Sequence, residues 1–128
     1  MNKLIIDVAN EKIFLMIITN ASIYNITHEN TKINYEKLTI IINDFLLSKN
    51  LKIADINTIY VNKGPGSFAG IRNSMSVVKA FNVAKNIDYY CYNFDDFKDE
   101  KDFSYENIPD LCKKYKVKKN LINPIYIS

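Results

Sequence analysis

All three glycines of this chain, Gly64, Gly66 and Gly70, fall between Lys63 and Arg72, and Arg72 is its only arginine. Glycine is used where the backbone needs a positive φ or where another segment or a ligand comes close. The stretch follows a β-branched run, Thr58-Ile-Tyr-Val61, and precedes a segment of helical period starting at Ala69. It therefore connects a strand to a helix. A tight turn explains part of the pattern. Three glycines with Pro65 and Ser67 exceed what a plain turn needs and point to a functional loop.

Before this loop the hydrophobic period changes once. Lys3–Val8 is a short apolar run that carries Asp7, and Lys12–Thr19 is a nearly continuous one, as suits a strand covered on both faces. Ser22–Thr27 alternates like a half-buried strand. The short connections between these three runs give an antiparallel meander, with residues 28–32 as polar loop. From Asn34, a plausible N-cap, Leu38, Ile41, Ile42, Phe45 and Leu46 mark an amphipathic helix to Ser48. Ile40 lies off that stripe, on the surface. After Ile53–Ile56 as a link, the loop opens a helix over Ala69–Lys85, with Ile71, Met75 and Val78 on one row and Val77, Phe81 and Ala84 beside it. Asp88–Tyr92 reads as a fifth strand. The order β-β-β-α-β-α-β describes an α/β fold with a mixed five-stranded sheet, three antiparallel strands followed by parallel ones.

Beyond Asn93 the pattern weakens into an acidic, aromatic stretch, Phe94–Tyr105. A short helix over Pro109–Lys116 follows, then a lysine cluster at positions 113, 114, 116, 118 and 119, and an extended end over Pro124–Ile127. The length of 128 residues suits one core-bearing domain. A net charge of +3 is too small to argue for nucleic acid by itself. Cys91 and Cys112 have no CxxC spacing, and no signal-like segment precedes Leu4, so a reducing cytoplasm is expected. No apolar run reaches the roughly 18 residues of a membrane helix, so no membrane role is expected.

A glycine-rich turn at a helix start presents N–H groups at the positive end of the helix dipole, an arrangement that can hold an anion. The spacing here matches neither common nucleotide motif. No Gly-Lys-Ser/Thr follows, and the Gly66-to-Gly70 interval is one residue too long for the dinucleotide fingerprint. Ser67 lacks a nearby base, and the one histidine, His28, lies in polar loop, so Ser67 reads as the cap of the following helix. His28, Cys91 and Cys112 share no metal-ligand spacing. Asp7, at a strand end, is the one carboxylate placed to hold Mg²⁺ or orient a phosphate, though such residues are commonly turn residues.

The run Gly64-Pro65-Gly66-Ser67-Phe68-Ala69-Gly70-Ile71-Arg72 resembles the Gly-Pro-Gly-Ser-Phe-Thr-Gly-x-Arg signature of the TsaB (YeaZ) family, with Ala69 for the usual Thr. Leu4-Ile-Ile-Asp7 resembles the family's first strand, with Val8 for its Thr, and Pro124-x-Tyr126 its C-terminal segment. The resemblance implies a ribonuclease-H-like domain of the actin/Hsp70/sugar-kinase class, spanning residues 1–93. It also implies a non-catalytic accessory role in making threonylcarbamoyladenosine in tRNA. The implied partners are a TsaD-like catalytic subunit, a TsaE-like ATPase and tRNA through the complex, and family members also self-dimerise. ATP and Mg²⁺ belong to that complex, and no cofactor is implied for the chain alone. The implied partner contact uses the helices Asn34–Ser48 and Ala69–Lys85, with Ile40, Asn73, Ser76, Lys79 and Ala80 as interface positions. Asp7 is then a vestigial phosphate or metal position.

The chain also departs from the family. Residues 94–128 form a short extension where the family has a second domain of comparable size. Asn34 falls near the family's histidine. A reduced form that keeps the partner-binding half is the expectation. The alternatives are a nucleotide-binding or sugar-kinase-like protein using the glycine loop, and a decaying structural remnant.

Overall fold

The structure, a computed structural model, describes residues 1–125. Five strands form one sheet in the order β3-β2-β1-β4-β5: β1 Lys3–Asp7, β2 Lys12–Ile18, β3 Ile23–Glu29, β4 Thr58–Asn62 and β5 Asp88–Tyr92. β1 to β3 pair antiparallel, and β1-β4 and β4-β5 pair parallel, as the sequence pattern predicts. The helices are α1 Lys32–Glu36, α2 Leu38–Ser48, α3 Phe68–Lys85 and α4 Ile108–Lys114.

Strand side chains alternate faces, so each run feeds two cores. Leu4, Ile6, Ile13, Leu15, Ile17, Ile59 and Val61 face α2 and α3, meeting Leu38, Ile42, Phe45, Ile71, Met75 and Val78. Ile5, Met16, Tyr60 and Tyr92 face the other way. There the chain after β5 returns as a strap, through 3-10 turns at Phe94–Phe97 and Tyr105–Asn107 and then α4. It lays Phe97, Ile108, Leu111 and Cys112 on the sheet. The aromatics of the weakly patterned segment are thus core: Phe97 stacks on Tyr92, and Phe103 packs edge-on to Phe97. This second cover explains why β2 lacks alternation.

Four local expectations need correction. β3 runs on to Glu29, so His28 sits in a strand and pairs with Ile13, because the meander's register continues two residues past Thr27. The helix expected from Asn34 is two helices. Thr31, not Asn34, caps α1 by accepting the Asn34 N–H, while the Asn34 amide ties back to the Glu29 carbonyl. That tether holds α1 to the end of β3, and the axis breaks at Lys37 before α2 settles on the sheet. Ala84 is exposed rather than part of the buried row, and Ser74 is buried because its hydroxyl is satisfied by the Ile71 carbonyl. The last helix spans Ile108–Lys114, with Pro109 in its first turn, and a left-handed Lys116 ends it. Of the expected extended end, Tyr126 and Ile127 lie outside the described residues. The backbone N–H of Ile125 donates to the Lys63 carbonyl at 2.7 Å.

Candidate functional site

The glycine loop starts where β4 leaves the sheet. The Lys63 N–H still donates to the Tyr92 carbonyl at 2.7 Å, and Gly64 then turns with φ 107°, a value that side-chain-bearing residues rarely adopt. Asn62 closes the turn by accepting the Gly64 N–H on its side-chain oxygen at 2.9 Å. At Gly66 the loop touches the end of β1. A Cβ there would stand 2.8 Å from the Ala9 Cβ and closer still to the Ala9 carbonyl oxygen. The Ser67 N–H donates to that same carbonyl at 3.1 Å. Ser67 is the N-cap of α3: its hydroxyl oxygen accepts from the Gly70 N–H at 3.2 Å, as capping chemistry requires. Asn30 locks the other side, donating to the Val8 and Asn10 carbonyls.

This geometry decides what the loop can do. The N–H groups of Gly64, Ser67, Gly70 and Ile71 all donate within the protein, so those donors are not presented to a phosphate. The junction instead fixes the angle at which α3 leaves the sheet. Beside it lies an open cleft of about 760 Å³ lined by Lys12, Phe14, Thr27, Ser67 and Tyr105 among others. Its one lysine, Lys12, is paired with Glu29.

Asp7 is almost fully buried at the end of β1 and held by three donors. Its Oδ1 accepts the Ala9 N–H at 3.0 Å, and its Oδ2 accepts the Asn62 amide at 3.1 Å and the Tyr105 hydroxyl at 2.7 Å. Burial, and after it the Asp7 charge and this hydrogen bond, push the Tyr105 phenol well above its ordinary range. The carboxylate is therefore a knot joining β1, β4 and the strap. Among the described residues no group of three or more His, Cys, Asp or Glu could hold a metal. His28, Cys91 and Cys112 are not brought together: the first is on β3, and the two free thiols are buried in different cores. Sequence reasoning missed Tyr105, Asn62 and Asn30. Only Asn62, an Asx residue directly before the loop, carried a local signal for its turn.

The outer face of α3 is open. Arg72, Ser76, Lys79, Ala80 and Val83 lie on its exposed side, and Val83 is 74% exposed. A shallow groove of about 600 Å³ between this row and Ile122 and Pro124 runs alongside. Asn73 is half-buried and bonds back to the Ala69 carbonyl. On the same layer, Ile40 and Leu47 of α2 are 57% and 58% exposed. Phe68 is also substantially exposed at the start of α3. No helix among the described residues is long and apolar enough to cross a membrane.

Comparison with known proteins agrees with this architecture. The model of the family described as TsaD, tRNA N6-adenosine threonylcarbamoyltransferase, matches residues 28–93, half of the chain. The curated protein "tRNA threonylcarbamoyladenosine biosynthesis protein TsaB" of Buchnera aphidicola subsp. Baizongia pistaciae (strain Bp) is 30% identical over 87 residues, covering 59% of this chain and 39% of that protein. Two solved structures share the fold: YeaZ from Pseudomonas aeruginosa, and an uncharacterized protein from the same organism with similarity to the peptidase YeaZ. Each has a TM-score of 0.66 at 17% identity, covering 72% of this chain and 43% of that one. The chain thus spans about two fifths of the length of the relatives it matches.

Proposed function

The chain belongs to the TsaB/YeaZ proteins of the TsaD family, and from that premise we propose that it is a non-catalytic scaffold of the assembly that places threonylcarbamoyl on the adenosine next to the anticodon of tRNAs. Its work is to bind a TsaD-like catalytic subunit through the α2 and α3 layer, with a TsaE-like ATPase joining the pair in the cytoplasm. ATP and Mg²⁺ then serve the assembly rather than this chain, and self-association competes for the same face. The observation that carries the reading is the glycine junction. The N–H groups of Gly64, Ser67, Gly70 and Ile71 donate within the protein, and the helix fixed there keeps Arg72, Ser76, Lys79, Ala80 and Val83 on an open face. An apolar and cationic row held at a set angle is what a docking helix needs, because preorganisation lowers the ordering cost of association.

The test is co-purification of the tagged chain with its TsaD-like subunit, followed by threonylcarbamoyl transfer to tRNA in the reconstituted mixture. Lys79→Glu together with Ala80→Glu should abolish both, with the melting temperature unchanged, since both positions are exposed. Unchanged capture by that variant would sink the interface. Micromolar binding of ATP and Mg²⁺ to the isolated chain would replace the scaffold reading with a nucleotide-binding one.

A further inference from the structure

The net positive charge of this chain is concentrated in one segment. Residues 113–119 hold five lysines and no acid, so of the net +3 this segment supplies +5 and the rest of the chain carries −2 (3 − 5). The fold adds lysines from far away in sequence. On one side of Lys116 and Val117 lies a cleft of about 320 Å³ with Lys63 and Lys118 in its wall; on the other, a cleft of about 500 Å³ is lined by Lys3, Tyr90 and Lys113. Lys116 stands on the ridge between them, lining both.

Most of this charge is unspent. Lys114 is tied to Glu100 and Lys119 lies 3.6 Å from Asp88, whereas Lys3, Lys63, Lys113, Lys116 and Lys118 have no side-chain hydrogen bond or ion pair among the described residues. Each cleft holds one carboxylate, Asp96 or Asp110, and Asp96 already accepts the Asn93 N–H. The backbone at the ridge is unusual. Among the described residues four non-glycine ones have positive φ: Asn50, Asn86 and Asn120 are asparagine, the ordinary choice at such positions, and the fourth is Lys116 at 55°. A lysine stands where the conformation favours glycine or asparagine. Beside it the half-exposed Tyr90 ring lies nearly parallel to Tyr60, 5.3 Å away, a flat aromatic surface bordered by cations. Cations beside a half-exposed ring suit a nucleic acid better than an acidic peptide, because the cations take phosphates and the ring's open part takes a base.

We propose that this surface binds an RNA backbone directly, with Lys113, Lys116 and Lys118 as phosphate contacts and Tyr90 as a stacking platform. That the RNA is a tRNA rests on the function proposed above; the phosphate-binding chemistry does not. The catalytic subunit is then not the sole RNA contact, and the strap becomes a second handle on the substrate.

The test uses the full chain and a fluorescent, unmodified tRNA transcript, with anisotropy read from 50 to 200 mM salt. Three phosphate contacts give a log–log salt slope of about −2.1 to −2.7, an affinity loss of about 20- to 40-fold over that range. Lys113→Gln, Lys116→Gln and Lys118→Gln together should remove that part of the slope. A control with the same charge change on the helix layer, Lys32→Gln, Lys37→Gln and Lys85→Gln, should leave it in place. Equal weakening by both triples, or displacement of RNA by polyglutamate of equal charge, would overturn the proposal. Capture of the catalytic subunit should survive the first triple. If that capture fails for the wild-type chain while RNA binding and its slope remain, the scaffold reading falls and the RNA surface stands.

Discussion

Replacing Tyr105 by phenylalanine removes one oxygen, and that oxygen ties the strap to the first strand. Its hydroxyl donates to the Asp7 carboxylate at 2.7 Å across a sequence separation of 98 residues. The ring itself is held independently, stacked on Phe14 at 4.0 Å and edge-on to Phe94, so phenylalanine keeps the packing. A hydrogen bond to a charged group is worth about 1.5–3 kcal/mol, and the partial exposure of Tyr105 favours the lower end, about 1.5 kcal/mol. For 128 residues the unfolding entropy near the midpoint is about 270 cal/mol/K, so the melting temperature should drop by about 5–6 °C. The assay is calorimetry at neutral pH on the wild type, Tyr105→Phe, Asp7→Asn and the double variant. The cycle should return a coupling of about 1 kcal/mol between the two sites, as expected for directly bonded groups. A Tyr105→Phe melting temperature within about 1 °C of wild type, or additivity within about 0.3 kcal/mol, would refute the knot.

Two further outcomes follow from burial and close approach. Gly66→Ala puts a methyl group onto the Ala9 carbonyl and should cost about 1–3 kcal/mol by overpacking, whereas Ser76→Ala on the open face of α3 should change stability by less than about 0.5 kcal/mol; urea titration of the pair checks the contrast. Burial pushes the Cys91 thiol up to about 11 and the Cys112 thiol up to about 12, and it raises the Tyr60, Tyr92 and Tyr105 phenols as well. The folded chain therefore holds protons that the unfolded chain releases above its ordinary thiol and phenol values. Stability is full below about pH 9 and falls as pH rises beyond it, and a melting temperature flat to pH 10.5 would contradict this.

Much of the architecture was legible because it is written in local periods. The antiparallel meander and the parallel part joined by α3 follow from the connections, and the apolar stripe of α2 is the one that packs, whereas the central place of β1 beside β4 is a feature of the fold. The helix boundaries were less legible, since α1 ends at its C-cap Lys37 and its Asn34 is tethered to the Glu29 carbonyl, a contact that no propensity encodes. Asn50 and Asn86 end α2 and α3 in the left-handed conformation, a job glycine often does, so the three glycines were free to mark something else.

What the sequence by itself determined is therefore the sheet, the helix layer and the place of the glycine junction, because hydrophobic period and turn chemistry act over a few residues. The tertiary structure alone decided what the junction is for and what the last third of the chain does. Gly66 is required by the Ala9 backbone arriving from β1, and Asp7 is occupied by a hydroxyl supplied 98 positions later. The strap's aromatics look patternless in sequence because they pack as single side chains into gaps on a sheet face already formed. Their partners are set by where the chain returns, and a linear period carries no record of that.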